Sequence, residues 1–183
     1  MYHFVLSLVV IFFFSSQVSC IQQNCYWREY TGSIPKDAIP AGKDINGQSI
    51  YVGQAYVKNE GLIVAPIYQG EKEVTAAIKG ARKIEKIFVQ ILCGPAYNFQ
   101  WIVSDSKNLQ VHLSGKHGVL GGHEGGLSCI HIGRMSYRGE TKIGRVTAYK
   151  KGDAKLFLRD RGAEKWIDSY EVLHFVENKW FAL

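Results

Sequence analysis

Short segments of this 183-residue chain alternate between apolar and polar residues, which is the pattern of strands with one buried face. Residues 48–52 and 128–132 each place two apolar side chains on one face, directly after a glycine-rich turn. Three more segments, 99–104, 110–113 and 155–160, are also predicted to be strands. The chain has 19 glycines and few long amphipathic runs, so the pattern predicts an all-β fold.

One segment, residues 73–92, is ambiguous because its isoleucines also fit a helical stripe. The matching segment in the second half, residues 154–173, is better explained as strand, turn and strand. We therefore predict strands in both segments.

The two halves of the chain carry the same series of residues. Residues 41–56 align without a gap with residues 121–136, and in both copies a glycine is followed by an acid and then by Ile-x-Val-Gly or Ile-x-Ile-Gly. Asp44 falls on Glu124, which is an offset of 80 (124 − 44). Downstream the register is looser, and a tryptophan phrase closes each copy. An internal repeat of this kind indicates two supersecondary units that bury a shared core.

The predicted organisation is a signal peptide over residues 1–20, repeat one over 21–98 and repeat two over 99–183. Residues 1–20 contain no Lys, Arg, Asp or Glu, and their apolar block is too short to span a bilayer comfortably. Small residues suit cleavage after Cys20, although a buried N-terminal strand is the alternative. We expect a secreted, extracellular protein without a membrane span, in which the two tandem repeats form a pseudo-two-fold antiparallel β unit.

The net charge is +6, from 22 basic and 16 acidic residues. The basic residues are spread along the chain and form no dense block, so no nucleic-acid partner is expected. A weak attraction to acidic glycans or anionic surfaces stays open. Three cysteines follow the predicted cleavage point, Cys25, Cys93 and Cys129. An odd number allows one bridge and a free thiol, an intermolecular pair, or no bridge.

The glycine-rich stretch 118–134 does not have the features of a phosphate loop or a dinucleotide fingerprint, because a strand and not a helix follows it. A metal site built from His117, His123 and His131 is conceivable, but nothing like it recurs in repeat one. No nucleophile–base signature of a hydrolase is present. The sequence therefore predicts no metal, no cofactor and no enzyme.

Several phrases together resemble the DM-nine repeat family. They are a Trp-rich entry, the phrase GSIPKDAIPAGKDINGQSIYVGQAY, a later Gly-Arg-Val and the exit SYEVL. The family includes mannose-binding lectins of invertebrates and the N-terminal part of natterin-like toxins, and the resemblance covers nearly the whole mature chain. It implies an all-β, pseudo-symmetric unit with one sugar site associated with each repeat.

The sugar sites of these lectins combine an acid of the glycine-rich turn with a lysine of a Pro-Gly-Lys-Val phrase. The resemblance implies a similar site in this chain. In repeat two the acid is Glu124, and the phrase is Ile-Gly-Arg-Val with Arg145 in place of the lysine. His123 and Arg134 are expected to help this pair. A carboxylate and a guanidinium suit sugar hydroxyls, since hydroxyls both donate and accept hydrogen bonds. A structural ion pair is the alternative role for Arg134.

Repeat one keeps the acid, Asp44, with Lys43 and Asn46 beside it. Its phrase is Leu-Ile-Val-Ala-Pro (62–66), which is expected to put Ile or Val where the cation should be. The resemblance therefore supports an altered sugar site in repeat two and a degraded or different one in repeat one. Asn-Gly turn chemistry alone is the alternative explanation for Asp44 and Asn46.

These observations favour a secreted, non-enzymatic carbohydrate-binding protein with lectin-like, mannose-type recognition of glycans, for which innate immunity is one setting. The alternative is a secreted effector or protein-interaction module, of a salivary or venom type, that kept the scaffold and lost the sugar. Single sugar sites bind weakly, so useful recognition would need several sites, through the two repeats or a homodimer.

Overall fold

The structure of the protein is a computed structural model, and it describes residues 25–71, 73–85, 89–125, 128–148, 150 and 152–176. The predicted signal peptide and the last tryptophan phrase lie outside these residues.

Among the described residues, repeat one contributes seven strands and a 3-10 turn at Ala96–Asn98. The strands are β1 (Tyr26–Glu29), β2 (Pro40–Lys43), β3 (Ser49–Val57), β4 (Gly61–Tyr68), β5 (Glu73–Ala77), β6 (Ala81–Glu85) and β7 (Val89–Cys93).

Among the described residues, repeat two contributes eight strands and one short α-helix. They are β8 (Phe99–Asp105), α1 (Leu109–His112), β9 (His117–Gly118), β10 (Leu120–Glu124), β11 (Ser128–Tyr137), β12 (Glu140–Ala148), β13 (Ala154–Asp160), β14 (Ala163–Ile167) and β15 (Ser169–Phe175).

The predicted all-β class is confirmed, and the strands of the two repeats pair in the same antiparallel order. In repeat one β1 pairs with β7, β7 with β3, β3 with β4, and β2 with β3. In repeat two the corresponding order is β8, β15, β11 and β12, with β10 on β11. Strand β10 also pairs with β4, which joins both repeats in one 13-stranded sheet. Strands β5 and β6 form a separate hairpin.

The glycine-rich bend of each repeat lies against the long hairpin of the other repeat. A Cβ atom on Gly42 would fall 2.1 Å from Thr141 Oγ1, and one on Gly122 would fall 1.9 Å from the Leu62 carbonyl oxygen. The backbone N–H of Lys43 donates to Thr141 Oγ1 at 3.2 Å. This reciprocal contact is the pseudo-two-fold relationship expected from the repeat, and it needs glycine because no side chain fits.

The strands that the alternation predicts supply the core. Ile50, Val52, Ile130 and Ile132 are all fully buried, and they belong to one apolar cluster that spans both repeats. A second cluster lies within repeat two, between β12, β13 and β15. The apolar face of each repeat is therefore covered partly by the other repeat, as a paired unit requires.

Residues 110–113 were expected to form a strand, and this prediction is wrong, because they lie within or directly after helix α1. The carboxylate of Asp105 accepts the backbone N–H groups of Lys107 and Asn108, which turns the chain at the end of β8. The segment 73–92 does form strands, β5, β6 and β7. No disulfide bridge joins Cys25, Cys93 and Cys129 to one another in the part of the chain that is described, and an intermolecular pair stays a prediction.

Candidate functional site

Glu124 and Arg145 lie in direct contact, in a cluster that we call the Arg145 cage. Arg145 Nε donates to Glu124 Oε2 at 3.1 Å, and its Nη1 donates at 2.5 Å to both Glu164 Oε1 and the Ala77 carbonyl oxygen. The guanidinium stacks on the Phe157 ring, with 4.4 Å between Cζ and the ring centroid. Arg145 is only 2% exposed. The cage is therefore a desolvated cation held by two carboxylates, a carbonyl and an aromatic face.

The cage joins the repeats because its parts come from both. Arg145 and Phe157 are direct neighbours on β12 and β13, whereas Ala77 ends β5 of repeat one. Glu164 also accepts the backbone N–H of Lys79 at 3.0 Å. These contacts fix the β5–β6 hairpin, which pairs with no strand of the large sheet, against repeat two. The outer edges of the cage carboxylates remain reachable from solvent, with Glu124 at 15% and Glu164 at 20% side-chain exposure.

Arg134 has a different set of partners. Its Nε and Nη2 donate to Glu171 at 2.8 and 3.2 Å, and its Nη1 donates to the Ala41 carbonyl oxygen at 2.6 Å. The guanidinium stacks over the Trp101 ring at 4.3 Å. The structure thus gives Arg134 the ion-pair role named as its alternative, outside the Arg145 cage.

The remaining predicted residues lie at the two bends. Asp44 Oδ1 accepts the backbone N–H groups of Asn46 and Gln48 at 2.9 and 2.8 Å, which is the turn chemistry of an Asx turn. Lys43, Asn46 and His123 are exposed. Whether any of these residues contacts a sugar stays a prediction.

Strand register shows which residue of repeat one corresponds to Arg145. Val52 lies opposite Pro66 in the β3–β4 hairpin, and Ile132 lies opposite Arg145 in the β11–β12 hairpin. Val52 and Ile132 are the matched positions of the repeat, so Pro66 takes the place of the cation. The expectation of Ile or Val there is wrong, because Ile63 and Val64 lie opposite Ala55 and Gln54. The first hairpin has one more turn residue, so the offset on this strand is 79 (145 − 66) and not 80.

An open groove of about 700 Å³ lies beside Pro66, between the repeats, and we call it the inter-repeat groove. Repeat one supplies a wall of five residues, Pro66, Tyr68, Glu71, Glu73 and Thr75. Repeat two supplies a wall of four, Lys142, Ile143, Arg159 and Arg161.

The inter-repeat groove is the counterpart of the Arg145 cage. Gly80 and Gly162 are equivalent turn glycines with positive φ, of 105° and 82°. Counted back from them, Thr75 corresponds to Phe157, and Arg159 corresponds to Ala77. The guanidinium and the aromatic ring that fill the cage are thus replaced by a proline and a threonine. The smaller side chains leave the space open.

The two walls of the groove differ in charge. Burial raises the pKa of Glu71 above its usual range, and the nearby Arg159 opposes this rise. Burial also raises the pKa of Tyr68, helped by the negative charge of Glu140. Lys142 is paired with Glu140 at 2.6 Å. Arg159 and Arg161 are exposed, and within the described residues neither has a carboxylate at ion-pair distance.

Sequence reasoning missed the groove because a one-residue insertion in a turn shifts the offset between the repeats, so Pro66 was not matched with Arg145. Aligning Val-Ala-Pro-Ile (64–67) with Ile-Gly-Arg-Val (143–146) would have found the position. In the part of the chain that is described, no group of three or more His, Cys, Asp or Glu side chains could hold a metal ion. The helix found among those residues is far too short to cross a membrane.

Two tandem, reciprocally packed antiparallel units with a cage on one side and a groove on the other define a two-repeat all-β protein. The family model of the DM9 repeat matches residues 44–152. This is more than half of the chain, and the chain therefore belongs to the DM9 repeat family, as the sequence resemblance indicated.

Comparison with solved structures gives a match to the crystal structure of the nematode sperm cell motility protein MFP2B. The TM-score is 0.55 at 12% sequence identity, over 85% of this chain and 46% of that chain. The chain thus spans less than half of the protein it matches, and at this identity the likeness shows the fold alone. No curated protein matches the sequence.

Proposed function

We propose that this DM9 repeat protein is a secreted, non-enzymatic carbohydrate-binding protein that holds a glycan in the inter-repeat groove. The observation that carries the proposal is the open space beside Pro66, at the place where the Arg145 cage is filled. A cavity of this volume with a few convergent polar groups has the size and lining of a small-ligand site.

The lining suits hydroxyl groups. The carboxylates of Glu71 and Glu73 accept hydrogen bonds, and the guanidinium groups of Arg159 and Arg161 donate them. Each sugar hydroxyl both donates and accepts, so a saccharide can use both walls at once. The half-buried ring of Tyr68 offers an apolar surface to the sugar's C–H face.

The Arg145 cage supports this proposal as a scaffold. Its guanidinium is buried and its donors are directed at Glu124, Glu164 and the Ala77 carbonyl, which favours a structural role over direct sugar contact. Glu124 keeps a solvent-facing edge, so the predicted contact of this acid with a mannose-like sugar remains part of the proposal. Affinity at one groove would be weak, and recognition of a microbial surface would then rely on a homodimer or higher valency.

A glycan array tests the proposal, read with the wild-type protein, Thr75→Phe and Glu124→Ala. Thr75→Phe places the ring of the cage into the groove, so binding should be lost in this variant and reduced less in Glu124→Ala. Val111→Phe is the matched control, since Val111 is 69% exposed on α1.

The opposite ranking would move the site to Glu124. Binding to a protein partner with no saccharide signal would overturn the proposal in favour of the effector alternative.

A further inference from the structure

We infer that the inter-repeat groove selects a saccharide that carries one anionic substituent, a carboxylate or a sulfate, rather than a neutral sugar. This inference rests on the proposed function and names the class of ligand. It depends on the separation of charge between the two walls.

The basic wall belongs to repeat two. Arg159 and Arg161 flank the end of β13, both are exposed, and no described carboxylate lies within ion-pair distance of either. Lys142 lies on the same wall but is engaged by Glu140 at 2.6 Å. Neither guanidinium is held in an ion pair among the described residues, although Glu71 lies near enough for its charge to interact with Arg159, so both groups are available to a ligand. A planar guanidinium fork matches the two oxygens of a carboxylate or sulfate.

The comparison with the Arg145 cage shows that this charge is specific to the groove. In the cage the positions equivalent to Arg159 and Arg161 are Ala77 and Lys79. Lys79 is paired there with Glu60 at 2.9 Å. At these two matched positions the groove has two cations and the cage has one. Among the described residues, neither arginine has an ion-pair partner of the kind that Glu60 is for Lys79.

The acidic wall limits the charge of the ligand. Glu71 and Glu73 come from repeat one and face the same space. They would repel a second anionic group, which disfavours a polymer with a phosphate at every unit, but they accept hydrogen bonds from hydroxyls. Burial raises the pKa of Glu71, so this carboxyl group is more easily protonated than a fully solvated glutamate. The net charge of +6 adds long-range attraction for an acidic glycan.

Titration calorimetry and amide NMR can test this with three probes of equal length: a neutral mannose trisaccharide, a trisaccharide with a single terminal uronate and a trisaccharide with a single sulfate ester. At least one acidic probe should bind about tenfold or more tightly than the neutral one at low salt, as one or two charge-assisted hydrogen bonds would give. The amide shifts should map to Tyr68 and Thr75. The carboxylate and sulfate probes then identify which anion the fork prefers.

Arg159→Gln and Arg161→Gln should each remove most of this preference, while both variants keep the wild-type melting temperature because the side chains are exposed. Lys58→Gln is the matched control, since it removes the same charge from an exposed turn outside the groove. Equal binding of neutral and acidic probes in the groove would overturn this inference and leave the proposed function standing. An equal loss of preference in Lys58→Gln would also overturn it. Absence of binding to all three probes would overturn both.

Discussion

Arg145 and Pro66 occupy the same position in the two repeats, because each lies opposite the second apolar residue of the Ile-x-Ile/Val-Gly phrase, Ile132 in one case and Val52 in the other. The guanidinium of Arg145 fills its side of the molecule and ties the repeats together. Pro66 cannot reach across, and its side stays open as a groove. Together with Thr75 in the place of Phe157, this difference leaves one side of the molecule filled and the other open.

Removing the guanidinium of the cage should destabilise the fold. Arg145→Ala leaves the carboxylates of Glu124 and Glu164 without the cation they share, and it removes the contact with Phe157. We expect a loss of about 3 kcal/mol in the free energy of unfolding, near the lower end for a broken buried pair because the carboxylates have solvent-facing edges. Urea denaturation followed by fluorescence measures it.

Arg159→Ala is the control for this experiment, and it should change the free energy of unfolding by less than about 0.5 kcal/mol. A loss below about 1 kcal/mol in Arg145→Ala would contradict a structural role for the cage.

Restoring a cation at the groove should close it. Pro66→Arg adds a long side chain to the wall of the groove, where it occupies the space that is open to a ligand. We expect saccharide binding to fall at least tenfold on the array, with a melting temperature close to wild type, because the added charge lies at an open surface. Unchanged saccharide binding in a folded Pro66→Arg variant would place the ligand elsewhere.

The reciprocal packing of the bends predicts a large difference between two glycines with positive φ. Gly122 has φ of 144°, and a Cβ there would lie 1.9 Å from the Leu62 carbonyl oxygen. Gly47 has φ of 79° but no atom within 4 Å of its Cβ position. Gly122→Ala should therefore fail to fold or lose several kcal/mol, whereas Gly47→Ala should cost about 1 kcal/mol through backbone strain alone. Thermal melts of both variants test this difference. Similar melting temperatures would contradict the close approach between residue 122 and the Leu62 carbonyl oxygen.

Stability should fall as the pH is lowered from 7.5 to 5.5. Burial lowers the pKa of His131 and of His174 below the usual 6.5, and Nδ1 of each ring is buried without a hydrogen-bond partner among the described residues. Both rings are then neutral in the folded state. The unfolded chain takes up protons first as pH falls through about 6.5, which favours unfolding. Above this pH neither state gains a proton, and the effect vanishes.

Melting temperatures measured across this range test the histidines. The double variant His131→Gln/His174→Gln should flatten the profile, and His117→Gln, at an exposed position, should leave it unchanged. A profile equally steep in the double variant would assign the pH dependence to other groups.

The alternation of residues and the repeat were enough to predict the fold class. Ile50, Val52 and their partners in repeat two are buried because a strand with one apolar face must cover it. The pairing of Glu124 with Arg145 was also predictable, although only through the family resemblance, which places both residues at one site. The helical conformation of α1 was not predictable, since a four-residue segment has too little periodicity to distinguish helix from strand.

The sequence by itself determined that the chain is a duplicated β unit, because periodicity, turn glycines and the offset of 80 are all local signals. Only the tertiary structure decided which half carries the open site. That outcome depends on the residue opposite Val52, which is Pro66 where repeat two has Arg145, and on side chains that each repeat extends into the other. Contacts between residues distant in sequence leave no periodic trace along the chain, and for this reason the groove appears only when the two repeats are packed together.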